Sequence, residues 1–478
     1  MARTIAIILV IASRVHAEIT LPKVLGDNMV LQRNQPVPIW GHAAGGEQVQ
    51  VQFAGQTQSA AADASGNWKI SLDAMPASNE PGDMTISGSN SITLKNILIG
   101  EVWLCGGQSN MEFPMQPVGN FSSKVHVLPQ LTDALAASKN SEIRLFKVEK
   151  RLSTPDVTTS GWKECAPDSA DKFSAVGYFF GKELHDQLKV PIGMMQSCWA
   201  GTRIEPWTPP EAYEQMPVFQ SQATTKPVNI DGARAGTHFN AMIRPLAPYA
   251  IRGVIWYQGE SNVINNDGLI YVDKMKALIG SWRSTWNQGD FPFYYVQLAP
   301  LYYSKRKDPK PHNEQELPLG WEAQVKSLRI PNSAMAGTMD LVENFTDIHP
   351  ADKSTVAHRL ALIAMAKTYG QKDLVYSGPM FKSVSFEDGK ARISFDFTAG
   401  ALASRDGKPL SEFTIAGADG RFVPANATID GETIIVSSPS VTSPKIVRFA
   451  WNESAQPNLI NKAGLPAIPF RTDAPADN

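Results

Sequence analysis

The chain has 478 residues, 43% of them hydrophobic and 19% charged, which is the composition of a soluble globular protein too long for one hydrophobic core. A formal net charge of −2, with no basic arm shaped to follow phosphates, excludes an electrostatic case for nucleic-acid binding.

Residues 1–17 come first, with Arg3, an apolar run from Ile5 to Ala12 and a small-x-small end at Val15-His16-Ala17. This is the pattern of a signal peptide cleaved before Glu18, so the mature chain is expected to be secreted or periplasmic. The apolar run is far shorter than a membrane span, and no later segment could cross a bilayer. Residues 18–97 follow as short alternating runs broken by Gly, Asn and Pro, among them "PVPIWGHA" and "NWKISLDAM". They predict an N-terminal β-sandwich-like module.

Between 98 and 370 the pattern changes. Apolar strands ("GEVWLCGG", "VPIGMMQS", "RGVIWYQ", "DFPFYYVQLAP") alternate with helical stretches at 174–188 and 351–370. The expected fold class is α/β, a doubly wound parallel sheet with its ligand site beyond the carboxyl ends of the strands. From 371 to 478 β-patterning returns, with hairpins at Asp-Gly and other Gly-rich turns. Whether these C-terminal strands form their own module or complete a sandwich with residues 18–97 is open from sequence.

Three cysteines, Cys105, Cys165 and Cys198, exclude a complete disulfide framework; Cys105 and Cys198 are read as buried thiols, with a bridge between them the less favoured alternative. No Cys/His cluster has zinc spacing, and neither a P-loop nor a dinucleotide fingerprint is present.

Three polar, glycine-containing loops end the strands: "GGQSNM", "SCWAGTRIEPW" and "YQGESN". Ser109 in the first is a turn residue or a nucleophile, and the two glycines before it let the chain turn tightly. A serine nucleophile needs a base, since the free hydroxyl attacks poorly. Of the eight histidines, His349 stands apart, in "NFTDIHPADK", two residues after Asp347 and in a loop entering a helix. An acid so placed can fix the imidazole tautomer, or it can simply cap the helix. The others sit in amphipathic helices (His185, His358), polar loops (His126, His312), the β-module (His42), the leader (His16) or near a helix start (His238). Main-chain amides of Ser109 and Gly201 with the Gln258 side chain would form an oxyanion hole, Gln258 being otherwise a buried residue that orders its loop. Glu260 reads as a hydrogen-bonding brace between loops. The Gly-x-Ser-x-Gly elbow of α/β-hydrolases is absent.

Assembled, these segments resemble the sialate O-acetylesterase family, carbohydrate esterases with an SGNH-type hydrolase domain. The likeness runs through "LPKVLGDNMVLQRNQPVPIWG", "GEVWLCGGQSNMEFPM", "FSAVGYFFGKELHDQLKVPIGMMQSCWAGTRIEPW", "FNAMIRPLAPYAIRGVIWYQGESN" and "DIHPADK". It implies Ser109 as nucleophile, His349 as base, Asp347 as orienting acid, and Gly201 and Gln258 in the oxyanion hole, with no metal or organic cofactor required. The substrate would be an acetylated carbohydrate, a sialic acid or an acetylated xylan or oligosaccharide. Asn110, Arg203, Glu205, Trp207, Asn240 and Glu260 would line or support the site, with Arg203 and Glu205 equally able to pair as scaffold. Arg203 and Arg244 could meet a sialate carboxylate. The second loop departs from the family in Cys198 and Ala200, where small Ser and an extra Gly are usual. Other classes weighed are a non-catalytic carbohydrate-binding protein and a lipase or thioesterase of the same fold.

Overall fold

The computed structural model describes residues 18–117, 129–152, 155–308 and 310–474, so the leader and His126 lie outside the described residues. Its centre is a parallel sheet in the order Ser333–Ala336, Phe293–Val296, Gly253–Tyr257, Ser91–Gly107, Ile192–Cys198, Asn140–Val148, with Thr159–Cys165 antiparallel at the edge. The chain leaves Ser91–Gly107 on one side for three strands and then crosses to the other. That reversal is the position at which an open α/β sheet builds its site.

Side chains alternate across this sheet as the β period requires. Val102, Leu104, Val254, Trp256, Phe293 and Tyr295 enter one core with Leu278, Trp282 and Trp286 of the helix Tyr271–Trp286. Trp103, Cys105, Ile255, Tyr257, Tyr294 and Val296 enter the other, with Val176, Phe180 and Leu184 of Ala175–Leu188 and Leu360 and Ala364 of Lys353–Lys367. The last two helices occupy the stretches predicted from periodicity. Ser174 Oγ caps the first by accepting from the Gly177 amide at 3.0 Å, and Asp352 Oδ1 caps the second by accepting from Thr355 at 2.9 Å. Layers of helix on both faces make this the SGNH-type α/β fold expected. The strands Asn140–Val148 and Ser333–Ala336 were not foreseen.

The N-terminal β-region and the parallel sheet share one strand. Ser91–Gly107 runs unbroken through Ile97 and Leu98; its first half pairs with Ser78–Ser87 and with Val30–Gln32, its second half with the parallel neighbours. Glu101, fully buried on that strand, fastens the join: it pairs with Arg33 at 2.5 Å and Arg252 at 2.7 Å and accepts from Gln32 at 3.0 Å. The C-terminal strands form sheets of their own, and among the described residues no strand pairing joins them to residues 18–97. One hairpin, Met380–Glu387 with Lys390–Asp396, turns at Asp388 and Gly389, both at positive φ as a type I′ turn demands. Contacts across to the parallel-sheet region include Arg471 to Glu322 at 2.9 Å and Trp451 Nε1 donating to Gln315 at 2.7 Å.

All three cysteines are free and buried. Cys198 Sγ points at the Cys105 carbonyl oxygen, 3.5 Å away, and not at its sulfur. Burial alone raises the Cys105 thiol far above its usual range.

Candidate active site

Three strands stop level with one another. Gly107 is in register with Cys198 on one side and Tyr257 on the other, so the loops beginning at Gln108, Trp199 and Gln258 leave the sheet at one height. Two glycines make this close packing feasible, for a reason different from the tight turn expected of them. Both still lie in the strand. A Cβ on Gly106 would stand 2.9 Å from the Trp256 ring, and one on Gly107 only 2.2 Å from the Tyr257 carbonyl oxygen, at a φ of +135°.

Ser109 opens the short helix Ser109–Glu112 and is 7% exposed. The turn is pinned through the main chain: the Gln108 amide donates to Tyr257 O at 3.0 Å, and Gln108 O accepts from Met111 and Glu112. As first residue of the helix, Ser109 has an N–H with no intrahelical acceptor, oriented as helix N-termini present amides to anions. Glu112 at the far end of the turn secures the second loop, accepting from the Ala200 amide at 2.6 Å and pairing with Lys150 at 2.6 Å. Gly201 adopts φ +71° with open space where a side chain would be, so the left-handed residue of this loop is the glycine itself and Ala200 carries no strain.

The Asp347–His349 loop, which follows the edge strand Ser333–Ala336, reaches the same place. Asn110 Nδ2 donates to the Ile348 carbonyl oxygen at 3.0 Å, which ties the residue after Ser109 to the residue before His349. Asp347 Oδ1 accepts from the His349 amide at 2.9 Å and lies 3.8 Å from His349 Nδ1, while helix capping falls to Asp352. Asn110 Nδ2 also donates to Glu260 Oε1 at 2.5 Å, and Lys353 Nζ donates to Asn110 Oδ1 at 2.6 Å. Glu260 thus braces loops, as read from sequence, and burial raises its carboxyl above the usual range.

Gln258 is placed differently from the expected oxyanion donor. Its Nε2 faces Gln108 Oε1 at 3.2 Å, Thr202 O at 3.2 Å and Asn262 Oδ1 at 2.6 Å, and Tyr271 donates to its Oε1 at 2.8 Å. Two amide hydrogens are already matched by three internal acceptors, which is the loop-ordering role. Arg203 and Glu205 pair with each other, and Glu205 is fully buried, so this carboxylate is scaffold. Trp207 is also buried, its indole N–H on Thr202 Oγ1 at 2.9 Å. Asn240 is exposed, and Arg244 lies over the Phe239 ring at 5.2 Å.

Beneath the second and third loops sits an ion cluster that sequence reading did not find. Lys274 Nζ, fully buried, is 2.7 Å from Glu205, 2.7 Å from Asp231 and 2.6 Å from Asp267. Burial works against its charge, yet Glu205 and Asp267 raise its pKa overall. The three carboxylates come close enough to one another to chelate a cation, and the ammonium group occupies their centre. Lys274→Met leaves Arg203, at the edge of the cluster, to balance three acids and is expected to cost about 3–5 kcal/mol, read from the urea midpoint. A loss below about 1 kcal/mol would show that the cluster is no scaffold.

Lys353 was also missed, although "DIHPADK" contains it. It shares a buried stripe with Val356, Ala357, Leu360, Ala361 and Ala364, and a lysine at an apolar helical position was the available signal. Gln108 and Asn262 carried no such mark.

A parallel sheet whose central strands end level on a pre-formed serine turn, with an Asp-x-His loop hydrogen-bonded to that turn, is the frame of a serine-type carboxylic-ester hydrolase. The model of the family described as "Carbohydrate esterase, sialic acid-specific acetylesterase" matches residues 99–366. The chain belongs to this family. It is 38% identical to a carbohydrate acetylesterase from Xanthomonas citri of known crystal structure, over 96% of this chain and 100% of that one, with a TM-score of 0.84. It is 29% identical to the sialate O-acetylesterases of Homo sapiens and Rattus norvegicus, over 93% of this chain and 91% and 92% of theirs.

Proposed function

We propose that the protein removes O-acetyl groups from sugars through an acetyl-Ser109 intermediate. Ser109 Oγ attacks the acetyl carbonyl carbon while His349 takes its proton. The resulting oxyanion is met by the amides of Ser109 and Gly201, with Gln258 behind them holding the third loop in place. Collapse breaks the C–O bond to the sugar, whose oxygen receives the proton from His349. Water then attacks the acetyl-serine with His349 again as base, releasing acetate and free Ser109. Asp347, 3.8 Å from Nδ1, orients the ring so that Nε2 serves the serine.

The single observation that carries this reading is the Asn110–Ile348 hydrogen bond, which supports one site for Ser109, after the central strand, and His349, after the edge strand Ser333–Ala336. Asn110 and Glu260 act as supports, and Asn240 is the most exposed member of the sugar-facing set, with Arg203 half-buried. The substrate is an acetylated sialic acid or an acetylated xylan or oligosaccharide, acted on outside the cytoplasm as residues 1–17 suggest; among the described residues no helix is long and apolar enough to cross a membrane. The test is acetate release from O-acetylated sialic acid beside acetylated xylo-oligosaccharide, with acetyl and butyryl nitrophenyl esters as reference. Strong acetyl preference and release from at least one sugar are expected. A protein inert on every ester, or faster on butyryl than on acetyl, is not a sugar deacetylase.

A further inference from the structure

The Asn110 carboxamide has every hydrogen engaged, and its orientation is not arbitrary. One end meets the Ile348 carbonyl oxygen and the Glu260 carboxylate, which only accept; the other meets Lys353 Nζ, which only donates while charged. A flipped amide would set NH₂ against ammonium and oxygen against oxygen. Lys353 is 1% exposed, with the faces of Phe113 and Tyr257 at 4.9 Å and 5.5 Å, and among the described residues no carboxylate pairs with it. Burial brings it down to about 7 despite the pull of Glu260, Asp347 and Asp352. Nothing in the hydrophobic packing of the helix Lys353–Lys367 calls for a lysine here.

We infer that Lys353 is a positioning residue that works through Asn110: its donation to Oδ1 locks the amide so that Nδ2 holds Ile348 and keeps His349 in register with Ser109. Lys353 touches neither substrate nor the reacting atoms. Four residues after His349, it returns from the first helical turn to the residue beside the nucleophile, so the base loop is held at both ends. The inference rests on the esterase reading, deepened at the same site.

The test compares wild type, Lys353→Met, Asn110→Ala and the double variant in acetyl-ester turnover and in the rate at which a fluorophosphonate reacts at Ser109. That reagent forms a P–O bond to Oγ, expels fluoride and passes the serine proton to His349, so it reports the pair without any sugar. A displacement of the base of the order of 1 Å predicts for Lys353→Met a kcat about 100-fold lower, with KM within about twofold and fluorophosphonate reaction slowed in parallel. Because both residues act through one amide, the double variant is expected to be no slower than Asn110→Ala alone. Lys353→Gln, which keeps a donor, is expected to recover much of the rate, and Lys353→Ala serves in place of the methionine variant if that one fails to fold. Losses that multiply in the double variant would overturn the inference, as would unchanged kcat and labelling in Lys353→Met or a Lys353→Gln as slow as the methionine variant. If the wild type labels rapidly yet releases no acetate, the substrate reading fails while the Lys353 comparison still stands on labelling.

Discussion

Ser109→Ala is expected to lower acetyl-ester hydrolysis by about 10⁴-fold or more while leaving the fold intact. The size follows from chemistry, since alanine offers no atom to form the acyl-enzyme and only the oxyanion amides remain to help water. Preservation of the fold follows from the turn, whose restraints run through Gln108 N, Gln108 O and the Glu112 carboxylate rather than through Oγ. Alanine also suits a first helical position. Steady-state rates beside a thermal melt check both halves. Activity within tenfold of wild type at an unchanged melting temperature would remove Ser109 from the mechanism.

His349→Ala is expected to follow closely, about 10³–10⁴-fold down, because the hydroxyl then attacks without a base. Asp347→Asn should cost less, about 10²-fold. Asp347 stands 3.8 Å from Nδ1, a charge contact longer than a hydrogen bond, and an asparagine oxygen can still accept from the His349 amide. The prediction is therefore an order as well as a size: serine, then histidine, then aspartate, read as kcat at constant pH. An Asp347→Asn variant as slow as His349→Ala would mean that the carboxylate does more than orient. A His349→Ala variant within tenfold of wild type would mean that another base serves Ser109.

Much of this site was legible because it lies where apolar runs stop. "EVWLCGG", "IGMMQSC" and "GVIWY" are buried strands in any reading, and parallel pairing brings their ends together whatever lies between. The helices announced themselves by period and cap. Asn140–Val148 did not, because as the last parallel strand it carries Asn140, Glu142 and Arg144 among its apolar residues. Ser333–Ala336 is four small or flexible residues, too short for period to speak. Gln258 and Glu205 were harder still. A polar residue near a strand end can face substrate or face inward, and the choice depends on partners far along the chain: Glu205 meets Lys274 across 69 residues, and Asn110 meets Lys353 across 243.

The strand Ser91–Gly107 bears on how this protein can be divided. A fragment begun at residue 98, where composition suggests a border, would cut through the backbone that both β-regions hold. It would also discard Arg33 and Gln32, leaving Glu101 with Arg252 as its remaining charged partner in a newly opened interface. Ser109 stands two residues past the end of that strand. The N-terminal region is thus less an appendage than the footing of the catalytic turn, and a minimal esterase has to carry it along.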